Sequence, residues 1–270
     1  MFTTLALAAL TLSPAQGSAL KLTNIRLTIG ELGPQRPSAK FLPGDVVFIG
    51  FDITGLSIEE NGMGKYTMGL EVTDKTGKTI FKPGTRELEE PYPLRGNSVA
   101  ARAFINIGLD QDPGVFTCNI TVEDPKTKGK DTRSIQYEVL KRDFGIVAVY
   151  TTHDVEGRLS APATGVVGQT TYVQLHVASF QRDPKTRQPK VHVEFQVLDE
   201  KGNPLLGKPG QYDQDEKSFP LIDENEARFR LLYKVFMSRP GKFTVRVTAT
   251  DKINDKQAVY NLPLTVLPGN

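Results

Sequence analysis

The chain contains no tryptophan, one cysteine and three histidines in 270 residues. A single thiol, Cys118, excludes an intrachain disulfide. It also leaves no scope for a cysteine-rich metal site. Neither charge sign dominates: 33 Lys and Arg stand against 31 Asp and Glu, a net charge of +2. That balance excludes the basic footprint of a nucleic-acid binder, and the basic residues are scattered rather than striped as on a membrane-surface helix. Only one apolar run stands out, Leu5–Leu12, and it is too short to span a bilayer at about 1.5 Å per residue. Small residues ending at Ala19 follow it, with Gly17 at the −3 position, although no Lys or Arg precedes the run. These features predict a signal peptide over residues 1–19, export, and a soluble mature chain starting at Leu20 or Ser18.

The sequence is written twice. Phe116-Thr117-Cys118-Asn119-Ile120-Thr121-Val122 follows Pro113-Gly114, and Phe243-Thr244-Val245-Arg246-Val247-Thr248-Ala249 follows Pro240-Gly241. The match continues through Asp124 and Asp251 at an offset of 127, with Gly44 and Gly168 matching at 124 and Asp74 and Asp199 at 125. An offset that drifts by single residues in loops marks an internal duplication. Two domains are expected, 20–142 and 143–268, each of roughly 120 residues.

Alternation of period two dominates both halves, as in half-buried strands. Val47, Ile49, Phe51 and Ile53 share one face, matched by Thr171, Val173, Leu175 and Val177. Tyr66, Met68, Leu70 and Val72 correspond to Val191, Val193, Phe195 and Val197. Cys118 and its counterpart Val245 fall on the inward parity, so the thiol reads as a small buried hydrophobe. Asp74-Lys75-Thr76-Gly77 and Asp199-Glu200-Lys201-Gly202 read as turns, opened by an Asp side chain and closed by a Gly at positive φ. The fold class predicted is all-β: two tandem immunoglobulin-like antiparallel sandwiches of about seven strands each. Only Lys141-Arg142-Asp143 separates them, which predicts a semi-rigid rod.

The Pro-Gly-x-Phe-Thr segment at 113–124 and 240–251 resembles the penultimate strand of bacterial immunoglobulin-like and fibronectin-III-like domains. The Asp-x-x-Gly turns resemble their mid-domain hairpins. The resemblance covers residues 20 to 268 and departs from antibody-type domains in lacking paired cysteines and any Trp. It implies a spacer, adhesion or protein-contact module, an analogy from fold.

No chemistry-bearing cluster emerges. His176 and His192 fall on outward faces of strands assigned to opposite sheets, and His153 stands apart in a loop, so the three read as surface histidines and not metal ligands. Glu87, Glu89 and Glu90, then Asp213, Asp215 and Glu216, then Asp223, Glu224 and Glu226 read as solvated loops rather than a catalytic pair. Asp110, Asp112 and Asp143 approach one another at the joint in this reading, without a calcium-loop spacing. Asn61-Gly62-Met63-Gly64-Lys65 lacks the phosphate-loop spacing, and the glycosylation sequon at Asn119 falls within a strand. Arg182, Lys185, Arg187 and Lys190 are expected to face Asp110 and Asp112 across the joint. Loops 57–64 and 125–130 then form a free tip, the first place to look for a partner.

The reading is an exported, non-catalytic binding or structural module of the cell envelope or extracellular space, contacting a protein partner. No catalytic residue, metal, cofactor, nucleic acid or membrane insertion of the mature chain is expected. The alternative is an extracellular carbohydrate-binding protein, for which outward Phe48 and Tyr172 are the candidate stacking residues.

Overall fold

A computed structural model describes residues 19–96 and 98–269. The signal peptide expected over 1–19 lies, apart from Ala19, outside the described residues. Every named element among the described residues is a strand. None is a helix long and apolar enough to cross a membrane.

The first half contains β1 (Lys21–Thr28), β2 (Lys40–Phe41), β3 (Val46–Thr54), β4 (Met63–Thr73), β5 (Thr79–Phe81), β6 (Arg86–Pro91), β7 (Ser98–Asn106), β8 (Gly114–Glu123) and β9 (Lys130–Val139). The second contains β10 (Gly145–Thr152), β11 (Thr164–Val166), β12 (Thr170–Ala178), β13 (Val191–Leu198), β14 (Gly210–Gln214), β15 (Arg228–Phe236), β16 (Gly241–Asp251) and β17 (Lys256–Leu267). One sheet of the first half runs β1-β3-β7, and its counterpart in the second runs β10-β12-β15. The other sheets run β2-β9-β8-β4-β5, with β6 also on β4, and β11-β17-β16-β13-β14. In each half a short strand, β2 or β11, pairs in parallel with the last strand; the remaining pairings are antiparallel. These orders define an immunoglobulin-like sandwich in both halves.

The alternating apolar residues face inward as their period requires. Val47, Ile49, Phe51 and Ile53 pack with Tyr66, Met68, Val72, Phe116, Cys118 and Ile120 in one buried cluster. Val173, Leu175, Val177, Val193, Phe195, Val245 and Leu264 form another. Burying each large side chain contributes about 1.5–3 kcal/mol. Cys118 is fully buried, and burial pushes its thiol up to about 12. Glu87, Glu89 and Glu90, expected in a loop, instead lie on β6, where Leu88 faces Tyr66 of β4. One apolar residue among glutamates was too sparse a pattern to show period two.

Two local features recur at matching positions. The first strand of each half is bulged, between Thr23 and Arg26 and between Val147 and Tyr150. Each bulge contains one left-handed residue, Asn24 at φ 52° and Ala148 at φ 50°. Asn tolerates that region through its short polar side chain, whereas Ala there costs roughly 1–2 kcal/mol. The repeated aspartates Asp124 and Asp251 are both buried and tie two loops together. Asp124 accepts the backbone N–H of Ser57 at 2.9 Å, and Asp251 accepts that of Gln181 at 2.7 Å. Burial opposes the charge on Asp124, but the hydrogen bonds from Ser57, Lys126 and Thr127 outweigh it and hold the carboxyl below its ordinary value.

Candidate functional site

The titratable residues picked out by sequence do not converge. His176 and His192 lie in different sheets. His153 is exposed. His192 pairs through Nδ1 with Asp213 at 2.9 Å, and Asp213 also takes Lys252 at 3.1 Å. His176 departs from the expectation of a surface residue. It lies half-buried between Val147 and Arg230, its partners on β10 and β15, and burial followed by the Arg228 and Arg230 charges lowers its pKa to about 4. Asp143 does not join Asp110 and Asp112; its carboxylate takes Lys256 and the N–H of Phe144. No group of three metal-ligating side chains occurs among the described residues. Asn119 sits mid-strand in β8, accepting the Ser134 hydroxyl.

Three of the four cations expected across the joint, Arg182, Arg187 and Lys190, are used within the second half. Arg182 donates to the carbonyls of Arg187, Ile222, Asp223 and Glu226. Lys190 pairs with Asp183 at 2.8 Å and Arg187 with Glu224 at 3.7 Å. Backbone carbonyls and acids in the same loops satisfy these cations locally, which sequence spacing does not reveal. As expected, loops 57–64 and 125–130 share one end, through the Asp124 bond.

The joint is built from residues that the sequence reading passed over. Asp45, with its side chain only 4% exposed, bonds Arg36 at 2.9 Å. Its other oxygen accepts N–H groups from its own neighbour Val46 at 2.9 Å and from Ala148 of the second half at 2.8 Å. Burial pushes the Asp45 carboxyl above its ordinary value, while Arg36 and the two amides hold it down. Arg36 also lies over the Phe41 ring at 4.1 Å and towards Tyr260 of the second half at 6.0 Å, a cation–π arrangement. Around this centre Ile29 is buried in the second cluster, Glu31 accepts the Ser160 hydroxyl, and Arg228 reaches the Gly44 carbonyl at 3.4 Å. Two glycines permit the approach: a Cβ at Gly30 would stand 2.7 Å from the Tyr150 Cβ, and one at Gly145 would stand 2.2 Å from a Leu42 methyl. Phe48 packs here between Phe104 and Tyr150, at centroid distances of 6.4 and 6.3 Å and tilts of 46° and 55°. Rings so inclined present no flat stacking platform.

The second feature is an opening between the sheets of the second half, beside β15. It has a volume of about 470 Å³ and is lined by Val197, Leu205, Leu206, Val235, Phe243 and Leu264, with Lys234 and Arg239 as its only charged residues. Phe243 is therefore half-buried, unlike its counterpart Phe116 in the first core. In the first half the corresponding space is split into voids of about 230 and 130 Å³, both lined by Phe81. Tyr137 stacks on Phe116 there at 5.7 Å. The matching residues of the second half are Leu206 and Leu264, and the smaller side chains leave the opening continuous.

No family model matches the chain, and no curated protein matches it. Among solved structures, the C-terminal domain of the Streptococcus agalactiae AgI/II polypeptide BspA is similar at 8% identity, covering 91% of this chain and all of that one, with a TM-score of 0.31. Red sea bream transglutaminase is similar at 9% identity over 93% of this chain and 31% of the enzyme, with a TM-score of 0.29. Neither likeness bears on what this chain does.

Proposed function

We propose that the chain is an exported, non-catalytic binding or structural module of the cell envelope or extracellular space, with two sandwich domains, 20–142 and 143–268, derived from an internal duplication. The domains hold a fixed separation between contacts made at different parts of the molecule. The observation that carries this reading is the joint. A buried Arg36–Asp45 pair bonded to the Ala148 amide, with Ile29 seated in the second core, is a costly arrangement for a linker free to bend. Such a pair is held by geometry and extra hydrogen bonds rather than by net attraction, so its natural product is one fixed arrangement of the two halves.

Solution scattering tests the reading. Exposed ion pairs weaken as the screening length falls from about 30 Å at 0.01 M salt to about 3 Å at 1 M, whereas buried pairs are screened far less. The distribution of dimensions should therefore stay the same across that range for the natural chain and broaden for Asp45→Ala. A natural chain that already samples many interdomain angles at low salt would overturn the proposal.

A further inference from the structure

We propose that β15 and the apolar opening beside it take an extended segment of a partner protein, one whose apolar side chains alternate with acidic ones. This deepens the reading of the chain as a binding module and rests on it.

Three observations carry the assignment. First, β15 pairs only with β12 among the described residues, so the N–H and C=O groups on its other side are available to an incoming strand. Second, the opening runs along the C-terminal part of that edge, and its volume of about 470 Å³ falls in the range of ligand pockets, roughly 300–1,000 Å³. A strand beside β15 projects every second side chain into it. The opening belongs to this half alone, because Phe81 and Tyr137 divide its counterpart in the first half. Third, the charge beside the opening has one sign. β15 reads Arg228-Phe229-Arg230-Leu231-Leu232-Tyr233-Lys234-Val235-Phe236; of its outward cations, Arg228 is held by the Gly44 carbonyl and Arg230 by Gln174 and the Val155 carbonyl, while Lys234 lies beside the opening and Arg239 follows at the rim. A second copy docking β15 on β15 would set like charges against each other, which is unfavourable. A segment with acidic outward side chains meets them favourably.

The probe is a fluorescent nonapeptide alternating Val and Glu, tested against the full mature chain by anisotropy and by backbone NMR shifts. A Val–Lys peptide and a block-sequence isomer of the Val–Glu peptide are the controls. The Val–Glu peptide is expected to bind with micromolar Kd, with shifts centred on residues 231–239, and the controls to bind about tenfold or more weakly. Leu264→Tyr with Leu206→Phe, which restores the residues of the first half, should close the opening and weaken binding about tenfold or more. Because those substitutions risk the core, Lys234→Glu at the surface is the second variant, and it should exchange the preference between the Glu and Lys peptides. Absence of Val–Glu binding at about 1 mM, equal binding of both charged peptides, indifference to Lys234→Glu, or self-association of the chain through β15 would each overturn the assignment. Any of these would leave the fixed-joint reading standing, since scattering measures that reading separately.

Discussion

Replacing Asp45 by Ala removes three interactions at once, and the expected loss follows from what remains. Arg36, with its side chain 12% exposed, is left as a charge without its carboxylate. Breaking a buried pair by deleting one member costs about 3–5 kcal/mol. The Ala148 amide also loses its acceptor, a change that alone costs about 1–3 kcal/mol. The two terms share one cavity and one entering water, so they overlap, and the expected total is about 4 kcal/mol. Because Asp45 and Ala148 belong to different halves, part of this loss is lost coupling. Cys118 is fully buried in the first core and supplies a probe of that half: its reaction with a thiol reagent in urea reports first-half unfolding, while amide exchange at Val245 and Val247 reports the second. In the natural chain the two should report one transition, and in Asp45→Ala they should separate. Combining Arg36→Met with Asp45→Leu replaces the pair by apolar groups, which is often nearly neutral, and should recover most of the stability while leaving the Ala148 amide unmet. A loss below about 0.5 kcal/mol for Asp45→Ala, with the probes still coincident, would refute this account of the joint.

Three further outcomes are expected. Ala148→Gly removes left-handed strain at φ 50° and should leave stability unchanged or raise it by up to about 1 kcal/mol, measured by urea midpoint; a loss of more than that would show the bulge is not strained. Phe116→Ala should cost about 3–5 kcal/mol by cavity formation, whereas Phe243→Ala, half-buried at the opening, should cost about 1–2 kcal/mol; equal costs in urea would contradict the difference in burial. His176 is held neutral, with its pKa lowered to about 4, so its contribution is present above the unfolded value near 6.5 and is lost as pH falls towards 4. The loss amounts to at most about 3 kcal/mol, and His176→Gln should flatten that part of the stability–pH curve; an unchanged slope would remove His176 as its cause.

Much of the fold is written in the chain because burial imposes a period. The faces Val47-Ile49-Phe51-Ile53 and Val173-Leu175-Val177 were legible as alternation, and the Gly77 and Gly202 turns as Asp-x-x-Gly. β7 and β15 escaped the comparison of the halves, since the longer stretch between β14 and β15 shifts their offset to 130. The joint was not legible for a related reason. Arg36 and Asp45 correspond to Ser160 and Gln169, so a search for matching residues passes over them. Nor does an Ala in a strand-like run announce a positive φ; the bulge becomes visible only once the register is known.

The departures between the halves are therefore more informative than the matches. Matched residues such as Asp124 and Asp251 do the same work twice, tying loops within a sandwich. Where the halves differ, each difference has a physical consequence at one place. Asp45 in the first half turns outward to the Ala148 amide, whereas Gln169 at the matching position accepts the N–H of Val166 in its own turn. The end of the second half that corresponds to the joint thus lacks the charged centre needed to seat another sandwich in the same way. Replacing Phe81 and Tyr137 by Leu206 and Leu264 opens the second sandwich beside an edge strand that presents Lys234, with Arg239 at the rim. The two sandwiches share one framework, and the side chains that differ between them build the Asp45 centre at the joint in the first half and the continuous opening beside β15 in the second.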